Sequence, residues 1–221
     1  MSGHRDIPTR AAPWALCLLA VLLAGCGEPP RPTIALYPAI ERGDLEQIER
    51  HVHWGSDINA LDPDGQRPLH AAAEAGRSVV VRTLLDGGAE IDAPDREGHT
   101  ALYVALMQGR TQVAELLVQR GAELEPTRLL QEVVDNGVYD RDVLDFLMEQ
   151  GADINAENAA GDPPLLRATR QGNRLLAKHL IARGAEVNAR GAQGHTPLWW
   201  ALEAGNEDVA RLLRRQGGVA E

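Results

Sequence analysis

Pairs of adjacent leucines recur along the chain between polar residues and indicate short amphipathic helices. Leu84-Leu85, Leu116-Leu117 and Leu212-Leu213 each stand shortly before a glycine, the residue that most often ends a helix. Segments with small side chains, such as Ala71-Ala72-Ala73, precede the leucine pairs and are followed by glycines of their own. The pattern therefore predicts units of two short helices, each stopped by glycine, with alanines that let the two helices pack closely.

These units repeat at a nearly constant spacing. A glycine followed by a small residue closes six segments, and the spacings between the glycines are 33, 33, 30, 33 and 33 residues. The six pairs are Gly55-Ser56, Gly88-Ala89, Gly121-Ala122, Gly151-Ala152, Gly184-Ala185 and Gly217-Gly218. A six-residue motif recurs in phase with them, at residues 67–72, 100–105, 196–201 and, more weakly, 163–168. The period and the motif together resemble the ankyrin repeat, whose signature is Thr-Pro-Leu-His-x-Ala.

The resemblance covers residues 35–221 and implies an all-α fold, a solenoid of about six helix-turn-helix repeats with β-hairpin fingers. The expected repeats span about 35–60, 61–93, 94–125, 126–156, 157–189 and 190–221. Residues 62–65 and 95–98 have the composition of tight turns and are expected to form fingers. His70 occupies the histidine of the signature and is expected to stabilise the helix start through a hydrogen bond, although Arg67 replaces the usual threonine partner.

The fourth repeat departs from the pattern. Only 9 residues separate Gly121 from Leu130, whereas 14 separate Gly88 from Leu102, so five residues of the finger are missing. Two residues are added between its helices, in residues 137–141. Two interpretations remain open: drift in a tolerant loop, or a notch in the row of fingers that shapes a partner site.

The N-terminal segment has the pattern of a lipoprotein signal peptide, expected over residues 1–25. Arg5 and Arg10 precede an apolar run over residues 11–23, which is too short for a permanent membrane helix. Residues 23–26 read Leu-Ala-Gly-Cys and resemble the bacterial lipobox, which implies lipidation of Cys26 with diacylglycerol and palmitate. The alternative is an ordinary cleaved signal with an incidental cysteine.

Residues 26–34 are expected to form the lipidated cysteine and a Pro-rich tether. The seven residues after Cys26, residues 27–33, would span roughly 20 Å if extended at about 3.1 Å per residue. The resemblance to lipoproteins places the chain on the periplasmic face of a bacterial membrane. The residue after Cys26 is Gly27 and not aspartate, which favours the outer membrane over the inner one.

Charge limits the class of partner. The chain carries a net charge of −10, and residues 1–25 contain two arginines and one aspartate, so the remainder carries −11. This excess of negative charge argues against binding nucleic acid, which depends on cationic side chains, and favours a basic protein partner. The mature chain is expected to be a monomer.

The sequence gives no positive prediction of a catalytic or metal-binding site. His51 and His53 are two residues apart and would not share a helix face, so they are not expected to bind a metal. We recognise no nucleophile motif or phosphate-binding loop, and we expect a protein that is not an enzyme and needs no cofactor. Trp199-Trp200 leaves two interpretations open: filling of the core end, or a contact hot spot.

Ankyrin repeats bind proteins through finger tips and the inward first-helix face, and this resemblance implies a binding surface. By repeat phase its residues are Asp64, Gln66, Glu74, Arg96, Glu97, His99, Met107, Gln108, Asp135, Asn136, Asp162, Arg170, Gln193, His195 and Glu203. The expected function is a non-catalytic scaffold that binds a protein partner. Two specific alternatives are an immunity protein that neutralises a secreted toxin such as a lipase, and a protein that supports an antioxidant enzyme such as catalase.

Overall fold

The computed structural model describes residues 28–221, in which twelve α-helices follow one another in six pairs. The first helices of the pairs are α1 (Leu36–Arg42), α3 (Pro68–Glu74), α5 (Ala101–Met107), α7 (Pro126–Asp135), α9 (Pro164–Arg170) and α11 (Pro197–Glu203). The second helices are α2 (Leu45–His53), α4 (Ser78–Asp86), α6 (Thr111–Gln119), α8 (Arg141–Glu149), α10 (Arg174–Ala182) and α12 (Glu207–Arg215). The signal peptide expected over residues 1–25, and Cys26, lie outside the described residues. Within residues 28–221, each helix is too short or too polar to cross a membrane.

The helices form two layers, because each first helix packs on the first helix of the next repeat. Most second helices do the same, and a continuous apolar core lies between the layers. Leu84 and Leu117, expected from the leucine pairs, are completely buried. The all-α solenoid expected from the 33-residue period is confirmed.

Side chains at equivalent positions of the repeats form hydrogen bonds to the neighbouring repeat. Oδ1 of Asn59 accepts a hydrogen bond from Glu90 N at 2.9 Å. Asp92, Asn155 and Asn188 make the equivalent bond to the next repeat, at 3.0, 2.9 and 2.9 Å. These bonds fix the register of the stack at the point where each second helix leads into the next repeat.

The fingers correct one expectation, because no strand is assigned within the described residues. The finger at residues 62–66 is a tight turn in which Asp62 N donates to Gln66 O at 2.8 Å. The Asp62 carboxylate also accepts from Gln66 N at 2.8 Å, which closes the turn a second time. The fingers of the second and third repeats share a single backbone bond, from Arg96 N to Gly65 O at 2.9 Å. A five-residue turn with one such bond is too short to make a ladder of strand pairs.

The fourth repeat shows what replaces its missing finger. Its first helix, α7, has 10 residues, whereas the other first helices have 7. The additional turn is at the N-terminal end, where Pro126 occupies the first helical position and loses no hydrogen bond. Val138 and Tyr139 are the two added residues between the helices, since they separate Gly137 from the N-cap Asp140.

A polar cluster joins the second helices of the fourth and fifth repeats. Asp145 on α8 bonds Nε2 of His179 on α10 at 2.7 Å and also pairs with Arg183. The side chains of Asp145 and His179 are only 19% and 10% exposed. The contact between α8 and α10 therefore includes a polar cluster centred on Asp145.

Candidate protein-binding surface

The fingers and the first helices of successive repeats form one continuous side of the molecule, which we call the finger face. Two neighbouring grooves lie on it, both centred on the third repeat. The first, the central groove, has a volume of about 340 Å³. Seven of the fifteen predicted binding residues line it, namely Gln66, Glu74, Glu97, His99, Met107, Gln108 and Asn136. About half of the binding residues predicted from their position in the repeat therefore lie together in this groove.

Both apolar and acidic side chains line the central groove. Val104, Met107 and Val138 supply apolar surface, and Glu74 and Asp95 lie among the polar residues around it. Glu74 accepts a hydrogen bond from Gln66 Nε2 at 3.0 Å, which holds its carboxylate at the edge of the groove.

The second groove lies where the finger of the fourth repeat is missing, and we call it the notch groove. Its volume is about 410 Å³. Glu125, Arg128, Leu129 and Glu132 line it from one face of α7, with the spacing of residues one and two helical turns apart. Arg128 bonds Glu125 at 3.1 Å and Glu132 at 3.0 Å, so the groove's cation is already shared between two carboxylates. Glu97 and Glu123 add further negative charge.

A stacked pair of rings, His99 and Tyr103, lines both grooves. The ring centroids are 4.1 Å apart and the planes are nearly parallel, at 9°. Burial raises the pKa of the Tyr103 phenol, and the negative charge of Glu132 raises it further. Tyr103 occupies the position of the signature histidine, which in the second repeat is His70 and bonds the next finger. Because the next finger is missing, the Tyr103 ring borders open space.

His70 shows the usual arrangement at that position. Its Nε2 donates to His99 O in the next finger at 2.8 Å, so the bond links two repeats and does not stabilise its own helix start, which corrects the expectation. Burial lowers the pKa of His70. Nδ1 has no hydrogen-bond partner among residues 28–221. Arg67, which replaces the threonine, donates instead to Pro94 O at 2.7 Å.

A second aromatic site lies on the last repeat. His195 stacks on Trp199 with centroids 3.7 Å apart, and Trp199 meets Trp200 edge to face at 5.1 Å. The guanidinium carbon of Arg170 lies 4.6 Å from the Trp200 ring centroid. Both tryptophans are partly buried, so neither ring is enclosed in the core end. As at Tyr103, an aromatic ring, here that of Trp199, stands at the histidine position of the motif.

The remaining predicted residues are scattered over the finger face. Asp64, Arg96 and Gln193 are exposed at finger tips, and Glu203 is exposed at the end of α11. Asp135 is exposed and bonds the buried Arg167 of the next repeat at 2.5 Å.

Asp162 is the predicted residue that the structure places elsewhere than expected. It is buried, with 8% of its surface exposed. Its carboxylate bonds Arg170 at 2.8 Å and accepts from Ala192 N of the next finger at 3.3 Å. Asp162 therefore joins two fingers and does not present its carboxylate to a partner, which corrects the prediction.

Sequence reasoning missed several groove residues, chiefly Asp95, Tyr103, Arg128 and Glu132. Tyr103 could have been found from its position in the motif together with the missing finger. Glu132 and Arg128 could not, because their exposure depends on the additional turn of α7.

The histidine pair in the first repeat is not arranged for metal binding. His51 bonds Ser56 and Ile34, both at 2.8 Å, and His53 meets the edge of Trp54. Across residues 28–221, no group of three or more histidines, cysteines, aspartates and glutamates is placed to hold a metal ion.

Stacked helix pairs with tight-turn fingers define a repeat solenoid whose finger face is available for contact. A family model of three ankyrin repeats matches residues 36–128 and again residues 130–219. The chain belongs to the ankyrin-repeat family.

Individual relatives support the same assignment. The chain is 39% identical over 47 residues to myotrophin of Xenopus tropicalis, which is 21% of this chain and 40% of that protein. The chain thus spans less than half the length of this curated relative. The crystal structure of the ankyrin repeat domain of Bcl-3, a member of the IkappaB protein family, matches 86% of this chain and 89% of its own, with 27% identity and a TM-score of 0.68.

A bacterial structure is also similar. It contains the predatory endopeptidase Bd0816 of Bdellovibrio bacteriovorus in complex with the immunity protein Bd3460. The match covers 84% of this chain and 99% of the matched chain, with 29% identity and a TM-score of 0.65.

Proposed function

We propose that this protein is a non-catalytic scaffold that binds a basic protein partner on its finger face. The observation that carries the proposal is the pair of grooves that share Glu97, His99 and Tyr103. In the same proposal, lipid on Cys26 holds the protein at the periplasmic face of a bacterial membrane, the outer membrane more readily than the inner one.

Charge on the two grooves favours a cationic partner. Their carboxylates are Glu74, Asp95, Glu97, Glu123, Glu125 and Glu132, and the arginine among the lining residues is Arg128. That arginine is bound to two of the glutamates and is 70% exposed at its side chain. Such an acidic surface accelerates the encounter with a basic partner at low salt, and salt screens the effect.

The apolar residues that line the grooves suit the side chains of a basic partner. Leu129 and Tyr103 line the notch groove, and Val104 and Met107 line the central groove. Lysine and arginine have long apolar stems below a charged head group. A lysine or arginine entering either groove would lay its stem against these apolar residues and bring its head group to the carboxylates.

A second candidate function is that of an immunity protein. The observation that favours it is the 29% identity to a chain in the complex of an endopeptidase with an immunity protein, over 99% of the matched chain. Under this proposal the partner is a secreted toxin, and its basic surface is neutralised by the finger face in the periplasm.

The test of the main proposal is charge reversal on the finger face with a matched control. Glu74→Arg with Glu97→Arg changes the net charge by the same amount as Glu115→Arg with Glu149→Arg, which lies on exposed positions of the second helices. Partners are cross-linked in envelope extracts and identified by mass spectrometry. We expect the first pair of substitutions to abolish the capture of a specific protein and the control pair to leave it unchanged.

Equal capture by both variants would contradict binding on the finger face. Capture of a toxin encoded beside this protein, together with protection of cells from that toxin, would favour the immunity function over a general scaffold.

A further inference from the structure

The N-terminal residues 28–34, which we call the strap, lie against α2 and do not project freely. Trp54, at the end of α2, donates from Nε1 to Pro29 O at 3.1 Å. The guanidinium carbon of Arg31 lies 5.1 Å from the Trp54 ring centroid. Thr33 N donates to Gln47 Oε1 at 2.8 Å. The strap is therefore held at both of its ends.

Buried polar side chains of α2 are devoted to the strap. His51 donates from Nε2 to Ile34 O at 2.8 Å, while Ser56 bonds its Nδ1 at the same distance. Gln47 and His51 are 8% and 9% exposed, although they lie in the first repeat of the stack. A solenoid needs a cap that covers its terminal repeat. The strap fulfils this role for α2.

The position of the strap shortens the connection to Cys26. Only Gly27 and Glu28 separate Cys26 from Pro29, the first strap residue that bonds α2. Three extended residues span on the order of 11 Å at most. The spacer of roughly 20 Å expected from the sequence is therefore reduced to about half, because the rest of its length is bound to the first repeat.

We propose that the strap holds the end of the first repeat against the membrane, so that a patch formed by Pro29, Pro30, Arg31, His53 and Trp54 contacts the lipid head groups. This inference rests on the lipid anchor at Cys26 in the proposed function. The surface that covers the patch is a lipid bilayer, because Cys26 stands only three residues before Pro29. An acyl chain on Cys26 enters the bilayer within that short reach. The other repeats then extend away from the bilayer, and the grooves remain accessible.

The chemistry of the patch suits a zwitterionic lipid surface. Trp54 is 37% exposed, and tryptophan is enriched where proteins meet the head groups of a membrane. Arg31 provides a cation, whereas Glu46 and Glu49 border Pro29 and Pro30. Charges of both signs, on a body of net charge −11, favour phosphatidylethanolamine over a strongly anionic surface.

The experiment uses the lipoprotein purified from membranes and reconstituted in phosphatidylethanolamine-rich vesicles that contain brominated lipid. Trp199→Phe with Trp200→Phe leaves Trp54 as the tryptophan of residues 26–221, and Trp54→Phe leaves the pair in the last repeat. With helices 8–10 Å apart, five repeat steps place the last repeat on the order of 40–50 Å from the first. If Trp54 lies at the head groups, we expect brominated lipid to reduce its fluorescence about twofold. The fluorescence of Trp199 and Trp200 in the Trp54→Phe variant should change little.

A longer tether provides the matched variant. Ten Gly/Ser residues inserted between Gly27 and Glu28 leave every strap contact in place, but they give the body a reach of roughly 17 Å more. Quenching of Trp54 should then fall by half or more. Unchanged quenching would overturn the role of the short tether.

Mass spectrometry of Cys26 and flotation with the vesicles separate failure of the anchor from failure of the orientation. A protein without acyl chains that does not float would refute the anchor, and the inference with it. An acylated, floating protein whose Trp54 is not quenched, or whose Trp199 and Trp200 are quenched equally, would overturn the orientation and leave the anchor intact.

Discussion

Truncation of Leu117 to alanine is expected to destabilise the protein strongly. Leu117 is completely buried on α6, and Val113, one helical turn earlier, is 1% exposed. Its carbonyl accepts a hydrogen bond from Ala122 N at 3.0 Å, so the backbone cannot move in to fill the space. We therefore expect a loss of about 3–5 kcal/mol in the free energy of unfolding, the upper part of the range for buried leucines.

Urea unfolding followed by far-UV circular dichroism measures this loss. With slopes of about 1–3 kcal/mol per molar urea, the midpoint should fall by 1 M or more. Leu175→Ala is the control, because Leu175 is 51% exposed on α10 and its truncation should cost less than about 0.5 kcal/mol. A loss at Leu117 as small as that of the control would refute the assignment of α6 to the core layer.

Three further predictions concern Tyr37, His70 and Cys26. Tyr37→Phe should lower the free energy of unfolding by about 1–2 kcal/mol in urea melts. The Tyr37 hydroxyl lies 2.9 Å from Ala60 O and 2.7 Å from Gln66 O, and it joins the first repeat to the finger of the second repeat. No loss would mean that these contacts do not persist in solution. Burial lowers the pKa of His70 below its usual value of 6.5, so the unfolded chain binds the proton more readily and stability should fall as the pH drops below about 6.5. This part of the pH dependence should disappear in His70→Gln, and identical profiles at pH 5 and 7.5 for both proteins would contradict it. Cys26→Ala should move the protein from the membrane fraction to the soluble fraction of the envelope and prevent palmitate labelling; a variant that remains membrane-bound would argue against the lipid anchor.

The helices could be predicted well from the sequence, because the residues that begin and end a helix act on the backbone next to them. Proline at the first helical position of α3 and α11, and glycines after the helices, fix most boundaries through backbone conformation alone. Gly76 has a φ of +69°, and a Cβ there would come within 2.9 Å of Arg110 of the next repeat. This position could be identified from the period without knowledge of the packing.

The site was only partly predictable, since it depends on contacts between distant residues. The deletion in the fourth finger was visible, but the additional turn of α7 that lines the notch groove was not. Asp162 was placed on the surface because its phase matches a finger, yet Arg170 and the next finger bury it. The strap was expected to be a free tether, because nothing local in its prolines indicates that α2 would bind it.

The missing fourth finger also affects how the protein unfolds. A backbone bond joins the finger of the second repeat to that of the third, and Asp162 joins the finger of the fifth repeat to that of the sixth. In the fourth repeat, a turn of helix stands where the finger would connect these two groups. The cooperativity of a solenoid comes from the interfaces between neighbouring repeats, so repeats 1–3 and repeats 4–6 should behave as two folding units. Native-state hydrogen exchange would then show two groups of amides with different opening free energies, one on each side of residue 125.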